Sequence, residues 1–315
     1  MTLFDTEDED LADRAASPDA GIRRVAMLAL AESEAPDARA LLIAGLTDPV
    51  AEVRAAAATA LEEHPGLDAA RALMAALDDP DPTVRGAASG CLEARREQSA
   101  APLLIARASH GAAFARAAAL RALRELAAPD AAGVAHDALT DPDPVVRREA
   151  IGVLGWLRAE AAQPGLIRTA DDPEPEVRRA TMAALVFVRS GGLAVPALIA
   201  GLRDSDWRVR EEAAATIGRT RLAEAEAALI ETMDDPVWQV RLKSAAGLGR
   251  LGARRALPAL IAALRSDVSN LRKEAAAALG EIRDPAALPA LAEAAADADP
   301  EVRKTALWAA GRCRR

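Results

Sequence analysis

The chain has 315 residues, 39 Lys and Arg against 48 Asp and Glu, a formal charge of −9, and 51% hydrophobic residues with 4 Trp, 3 Phe and no Tyr. Its apolar mass lies in Ala and Leu rather than in aromatic and β-branched residues, which argues against a β-rich fold and predicts an all-α one. Charged residues interrupt every apolar run before the roughly 18 residues a membrane span needs, and the net acidity weighs against nucleic acid, whose affinity rests on Lys and Arg.

The N-terminal stretch MTLFDTEDEDLADR lacks the basic and apolar regions of a signal peptide, so a soluble, cytoplasmic chain is expected. Its acidic run, Asp5 to Asp13, reads as a polar cap on the first helix. A hydrophobic residue followed by Arg then recurs down the chain, at Arg23, Arg54, Arg85, Arg116, Arg147, Arg178, Arg210, Arg241, Arg272 and Arg303. The interval is 31 residues everywhere except between Arg178 and Arg210, where it is 32 and includes Gly191-Gly192. A fixed period of this length signals a stack of supersecondary units. Six residues before the Arg stands Asp48, Asp79, Asp141, Asp172, Asp204, Asp235 or Asp297, replaced by Ser17, His110 and Ser266 in three repeats. Fourteen residues before it a proline recurs, at Pro102, Pro164, Pro196, Pro258 and Pro289.

Within the unit LPALIAALRSDVSNLRKEAAAALGEI, Leu257, Leu260, Ile261 and Leu264 fall at helical spacing, and after a polar break Leu271, Ala275, Ala278, Leu279 and Ile282 do so again. Each unit therefore reads as a helical hairpin. Asp81-Pro82, Asp143-Pro144 and Asp299-Pro300 are expected to be N-cap and first residue of the second helix, because the carboxylate accepts an orphan N–H and the proline pre-sets φ. Gly155, Gly218, Gly249, Gly280 and Gly311 near its end are expected to mark where the chain leaves the helix. Neither helix can bury its apolar face within one hairpin, so successive hairpins must stack.

The Asp column ahead of a Val-Arg pair, as in DPDPVVRREAIGVLG and DADPEVRKTALWAAG, together with the upstream proline, resembles the HEAT repeat. The resemblance is to its short 31-residue type, first named from phycobilisome lyase proteins, and covers essentially the whole chain. It implies an all-α fold, an α-solenoid (right-handed superhelix) of about ten stacked helical hairpins. It also implies that the Asp and Arg columns form a structural ladder between repeats, so that removing one partner alone, as in Arg147→Ala, destabilises by about 3–5 kcal/mol. A single domain over residues 1–315 is expected, with a hinge near 190–192.

The chemistry-bearing residues are sparse. His64, His110 and His136 form no i, i+4 pair and no His-Glu motif, so no metal ligands and no cofactor are expected. Cys91 falls in a small, mostly Ala column and reads as a core thiol, whereas Cys313 is expected to be exposed; neither has an activating neighbour, and no catalytic residues are assigned.

The large aromatics follow a different pattern. Counting from the ladder Arg, positions −1, +3, +6, +7 and +10 of the second helix form the core, leaving −3, −2, +1, +2, +5 and +9 to line a concave face. Trp207 and Trp238 both fall at −3, Trp156 and Phe187 both at +9, and Arg148, Arg179, Arg208, Arg219, Lys243 and Arg250 share that face with Glu149, Glu176, Glu211 and Glu212. Trp and Arg are the types most enriched at interface hot spots. The expected partner is thus another protein held on repeats 5–8 by a non-catalytic scaffold, adaptor or assembly factor. The resemblance supplies the alternative, a phycobilisome-lyase-like enzyme or chaperone acting on a tetrapyrrole-bearing client. A HEAT-like DNA glycosylase would need a more basic groove.

Overall fold

In a computed structural model, residues 11–187 and 192–314 are described, and among them every regular element is a helix. The acidic run up to residue 10, and residues 190–191 of the expected hinge, lie outside the described residues. Contacts divide the chain into two compact units, Met1–Ala159 and Glu160–Arg315.

The second helix of each hairpin organises the packing. In the N-terminal unit these are α1 (Ala20–Leu30), α2 (Ala51–Ala60), α3 (Pro82–Ala94), α4 (Ala113–Glu125) and α5 (Pro144–Trp156). In the C-terminal unit they are α6 (Pro175–Ala184), α7 (Trp207–Thr220), α8 (Trp238–Leu251), α9 (Ser269–Ile282) and α10 (Pro300–Cys313). Within each unit every one packs on the next, and from α2 onward each also packs on the shorter first helix of its own hairpin. This is the stacked architecture of an α-solenoid.

The local signals act as expected. Asp81, Asp143 and Asp299 cap α3, α5 and α10 by accepting the N–H of Thr83, Val145 and Glu301, each at 2.8 Å. Asp206 does the same for Arg208 at the start of α7. The recurring prolines sit in the first turn of first helices, as Pro102 does in Ala101–Ser109, where the missing N–H costs nothing. The core columns are also right: in α9, Leu271, Ala275, Ala278, Leu279 and Ile282 are all buried. Two hydroxyls interrupt the Ala of column +3, and each is answered by a Thr twelve residues earlier. Thr169 meets Thr181 at 2.7 Å and Thr232 meets Ser244 at 2.6 Å, so neither buried hydroxyl is left unpaired.

The glycines are a correction. Gly218, Gly249 and Gly280 lie inside α7, α8 and α9, not at their exits. A Cβ at Gly218 would stand 2.8 Å from the Cα of Gly247, one at Gly249 2.7 Å from the Cα of Ala278, and one at Gly280 2.9 Å from the Cα of Ala309. They let neighbouring helices meet backbone to backbone. The chain turns instead at a left-handed residue eleven positions after the ladder Arg: Ala127, Arg158, Arg221, Gly252 and Arg283, with φ between 51° and 66°.

Within each unit the ladder links successive repeats wherever the next turn carries the Asp. The Arg Nη1 donates to the carbonyl six residues back in its own turn, as Arg54 does to Asp48 at 2.8 Å and Arg210 to Asp204 at 2.8 Å. Its Nε and Nη2 then fork onto the Asp of the next turn in the pairs Arg23–Asp48, Arg54–Asp79, Arg116–Asp141, Arg178–Asp204, Arg210–Asp235 and Arg272–Asp297. The same carboxylates accept a backbone N–H two residues on, as Asp235 does from Val237 at 2.9 Å. These bonds hold Asp48, Asp79, Asp204, Asp235 and Asp297 below the ordinary carboxylate range. At Asp48, Asp79 and Asp297 the Arg hydrogen bond is the largest influence. At Asp204 and Asp235 burial is the largest and pushes the carboxyl up, but the Arg fork and the turn N–H more than reverse it.

Because the folded state depresses these acids, their contribution to stability is complete above the unfolded carboxylate value near 4 and is lost as the pH falls through the lower folded values. Melting temperature is expected to hold steady from neutrality to about pH 5 and to fall steeply below about pH 4. Asp235→Asn, which cannot titrate, is expected to start lower and to fall less over the same range. Parallel curves for the two proteins would refute this account of acid sensitivity.

Candidate functional site

The four tryptophans do lie outside the core. Trp156 is 63% exposed and Trp308 47%, and Trp207 and Trp238 are half-buried at the first positions of α7 and α8. Phe187 is 40% exposed. Trp308 folds back on its neighbour: its ring fills the space over Gly280, and Arg312 lies 5.4 Å from its centroid.

In the C-terminal unit, Trp207 and Trp238 occupy the same register on adjacent packed helices. Twelve residues further along each helix stand Arg219 and Arg250, both exposed, about 18 Å away at helical rise. Arg208 lies over the Trp207 ring at 5.6 Å and reaches Glu176 at 3.3 Å, and Arg179 meets the same Glu176 at 3.2 Å. Arg219 is held by Glu212 at 2.8 Å and by the Thr216 hydroxyl at 2.6 Å. Lys243 is half-buried between these ends. Nearby on α9, Glu274 has its pKa raised, by burial first and by Glu281 second, with Arg250, Lys273 and Lys243 acting against that.

In the N-terminal unit the expectation needs correcting at Glu149. This residue is 5% exposed and not a surface partner residue. Arg121, Arg124 and Arg148 surround it at 3.5, 3.4 and 2.9 Å, since a carboxylate on a packed helix face must be neutralised where it is desolvated. Arg148 is thereby committed to an internal pair, while Trp156 remains open.

The fold partly or fully buries three of the remaining reactive groups. His64 Nε2 meets the Leu30 carbonyl at 2.7 Å and ties two repeats together. Cys91 is buried, and burial pushes its thiol up to about 11. Cys313 is buried as well, against the expectation, because its Sγ turns in to the Leu279 carbonyl at 3.6 Å. Among the described residues no group of His, Cys, Asp and Glu is arranged to hold a metal ion, and no helix is long and apolar enough to cross a membrane.

A family pattern described as HEAT repeats matches residues 9–89, 42–114, 101–186, 195–278 and 261–314. No curated protein matches the chain. Solved structures of similar fold include an engineered protein, 21% identical over 98% of each chain with a TM-score of 0.55. YibA of Escherichia coli is 20% identical over 95% of this chain and 97% of its own, with a TM-score of 0.58. Kap95, in its complex with Nup1, is 16% identical over 96% of this chain and 48% of its own, with a TM-score of 0.61. At such identities the likeness is one of fold.

Proposed function

The chain belongs to the HEAT-repeat family, and from that premise we propose that it is a non-catalytic interaction scaffold, an adaptor or assembly factor that grips a partner protein. The proposed surface is the face of α7 and α8 that carries Trp207, Trp238, Arg208, Arg219, Lys243 and Arg250, flanked by Arg179 and Phe187. Trp156 offers a separate anchor in the N-terminal unit, where Arg148 is held by Glu149. The 31-residue period further supports placing the chain with the short type named from phycobilisome lyases.

One observation carries the reading. A chain with only 4 Trp, whose core is built from Ala and Leu, keeps all of them out of that core and sets two in equal register on neighbouring helices. Large rings half-exposed at fixed positions lose little side-chain entropy when covered, and Arg beside them is prearranged by its contacts with the ring and with Glu176. The Kap95–Nup1 complex is a precedent for protein binding by a chain of this fold.

The test is capture from native lysate by wild type and by Trp207→Ala/Trp238→Ala, with helicity and melting temperature measured in parallel. A partner is expected on the wild type and about tenfold or more weaker binding on the double variant, at nearly unchanged melting. Equal capture by both proteins refutes the surface. A parallel loss of binding and folding assigns the rings to structure instead.

A further inference from the structure

The ladder contains an arginine whose acceptor is missing. Six times within the two units, an Arg places Nε and Nη2 on the two oxygens of the Asp in the next turn, at 2.7 to 3.0 Å. Arg241 on α8 is anchored in the same way at its back, its Nη1 donating to the Asp235 carbonyl at 3.1 Å. At the position where its carboxylate should stand, 25 residues on, the chain has Ser266. The Ser266 hydroxyl copies the turn role of the Asp, accepting the Val268 N–H at 3.2 Å, and meets Asp267 at 3.3 Å. It is too short to supply two oxygens to the fork.

What lies in front of Arg241 is space. A cleft of about 400 Å³ opens between the two turns, and Arg241, Ser266, Leu271, Asp234, Arg265 and Asp267 are among its lining residues. The contrast with Arg85 is informative, because there too the ladder Asp is absent and His110 takes its place. That guanidinium is covered by the Phe114 ring, 5.5 Å away, so the chain itself fills the vacancy.

We propose that the Arg241 fork is a carboxylate-binding site, taking either a partner's Asp or Glu side chain or a small free carboxylate into the position that an Asp occupies in the other repeats. A guanidinium with its fork held planar and its back already bonded matches a carboxylate bidentately at little ordering cost. The two acids of the lining, with Arg265 already paired to Glu293 at 3.1 Å, disfavour anions that do not seat on the fork. The cleft is larger than acetate requires, which leaves room for the chain that would carry the carboxylate.

The experiment uses the full chain labelled with ¹⁵N-arginine, following the Arg241 Nε–Hε signal, assigned with Arg241→Lys. Three probes are titrated at constant ionic strength and pH 7: acetate, a capped Gly-Asp-Gly amide, and its Asn counterpart. Acetate is expected to move the signal with half-saturation on the order of 10 mM, and the Asn peptide to leave it unmoved. An Asp peptide binding about tenfold tighter than acetate identifies a partner side chain as the occupant; equal affinities identify a small free carboxylate. Ser266→Asp is expected to close the slot from within, abolish both shifts and raise the melting temperature by about 2–4 °C. The proposal fails if acetate at about 100 mM moves the signal no more than chloride does. It also fails if Ser266→Asp leaves the acetate shift intact. Neither result depends on the tryptophan face, whose variants leave Arg241 in place.

Discussion

Arg210→Ala is expected to lower stability by about 3 kcal/mol, a large effect for one side chain on the surface of a helical hairpin. The guanidinium makes contacts in two turns at once. It forks onto Asp235 at 2.7 and 3.0 Å, and its Nη1 holds the Asp204 and Ser205 carbonyls at 2.8 and 3.2 Å. Both charged side chains are close to buried, at 13% and 7% exposure. Truncation leaves Asp235 desolvated with only its turn N–H from Val237, and frees two carbonyls of the preceding turn. Lysine in the same place has no fork and is expected to recover less than half of the loss. Arg241→Ala is the internal control. It removes the tether to the carbonyl six residues back but no carboxylate pair, so about 1 kcal/mol is expected. Urea unfolding of the three variants measures the difference, and equal losses for Arg210→Ala and Arg241→Ala would show that the ion pair contributes nothing beyond the tether.

Gly249→Ala is expected to cost about 2 kcal/mol, although helix propensity alone favours Ala over Gly by about 1 kcal/mol. The sign decides between two readings of this glycine. The new Cβ would lie 2.7 Å from the Cα and 2.9 Å from the Cβ of Ala278, with the Glu281 carboxylate at 2.8 Å. The carboxylate can move aside, but the backbone of α9 cannot without separating the two helices. Gly311 occupies the same column on α10, where nothing stands within 4 Å. Gly311→Ala is therefore expected to stabilise by about 0.5–1 kcal/mol. Opposite signs at two glycines of one column would locate the requirement in helix contact; stabilisation at both would restore the helix-exit reading.

The partition of the aromatics matters for function because cores of Ala and Leu have little room for an indole. Once columns −1, +3, +6 and +7 are packed with small and branched aliphatic residues, a Trp is accommodated only at the margins. Margins of neighbouring helices line up, so two such residues in one register create a surface feature. Much of the basic charge beside it is already paired, Arg179 and Arg208 with Glu176, and Arg219 with Glu212. Partner binding there would rest more on the rings, Lys243 and Arg250 than on a count of arginines suggests.

The period, the hairpins, the N-caps and prolines and the core columns were legible from residue order, and the Arg–Asp ladder from the family resemblance that its two columns carry. Each depends on neighbours within one turn or on a repeat that copies itself, and short-range sterics and hydrogen bonding dictate them. Even the vacancy at Ser266 left a trace, as a break in the Asp column. What only the tertiary structure decided is which groups meet across the stack. Periodicity cannot say that Arg210 takes the Asp of the following turn and not its own, that Gly249 faces a backbone, that Glu149 and Cys313 turn inward, or that Phe114 covers Arg85 while Arg241 faces an open cleft. Those outcomes depend on the distance and rotation between successive hairpins, which are set by how the Ala and Gly columns pack, and that is a property of the assembled helices rather than of any one of them.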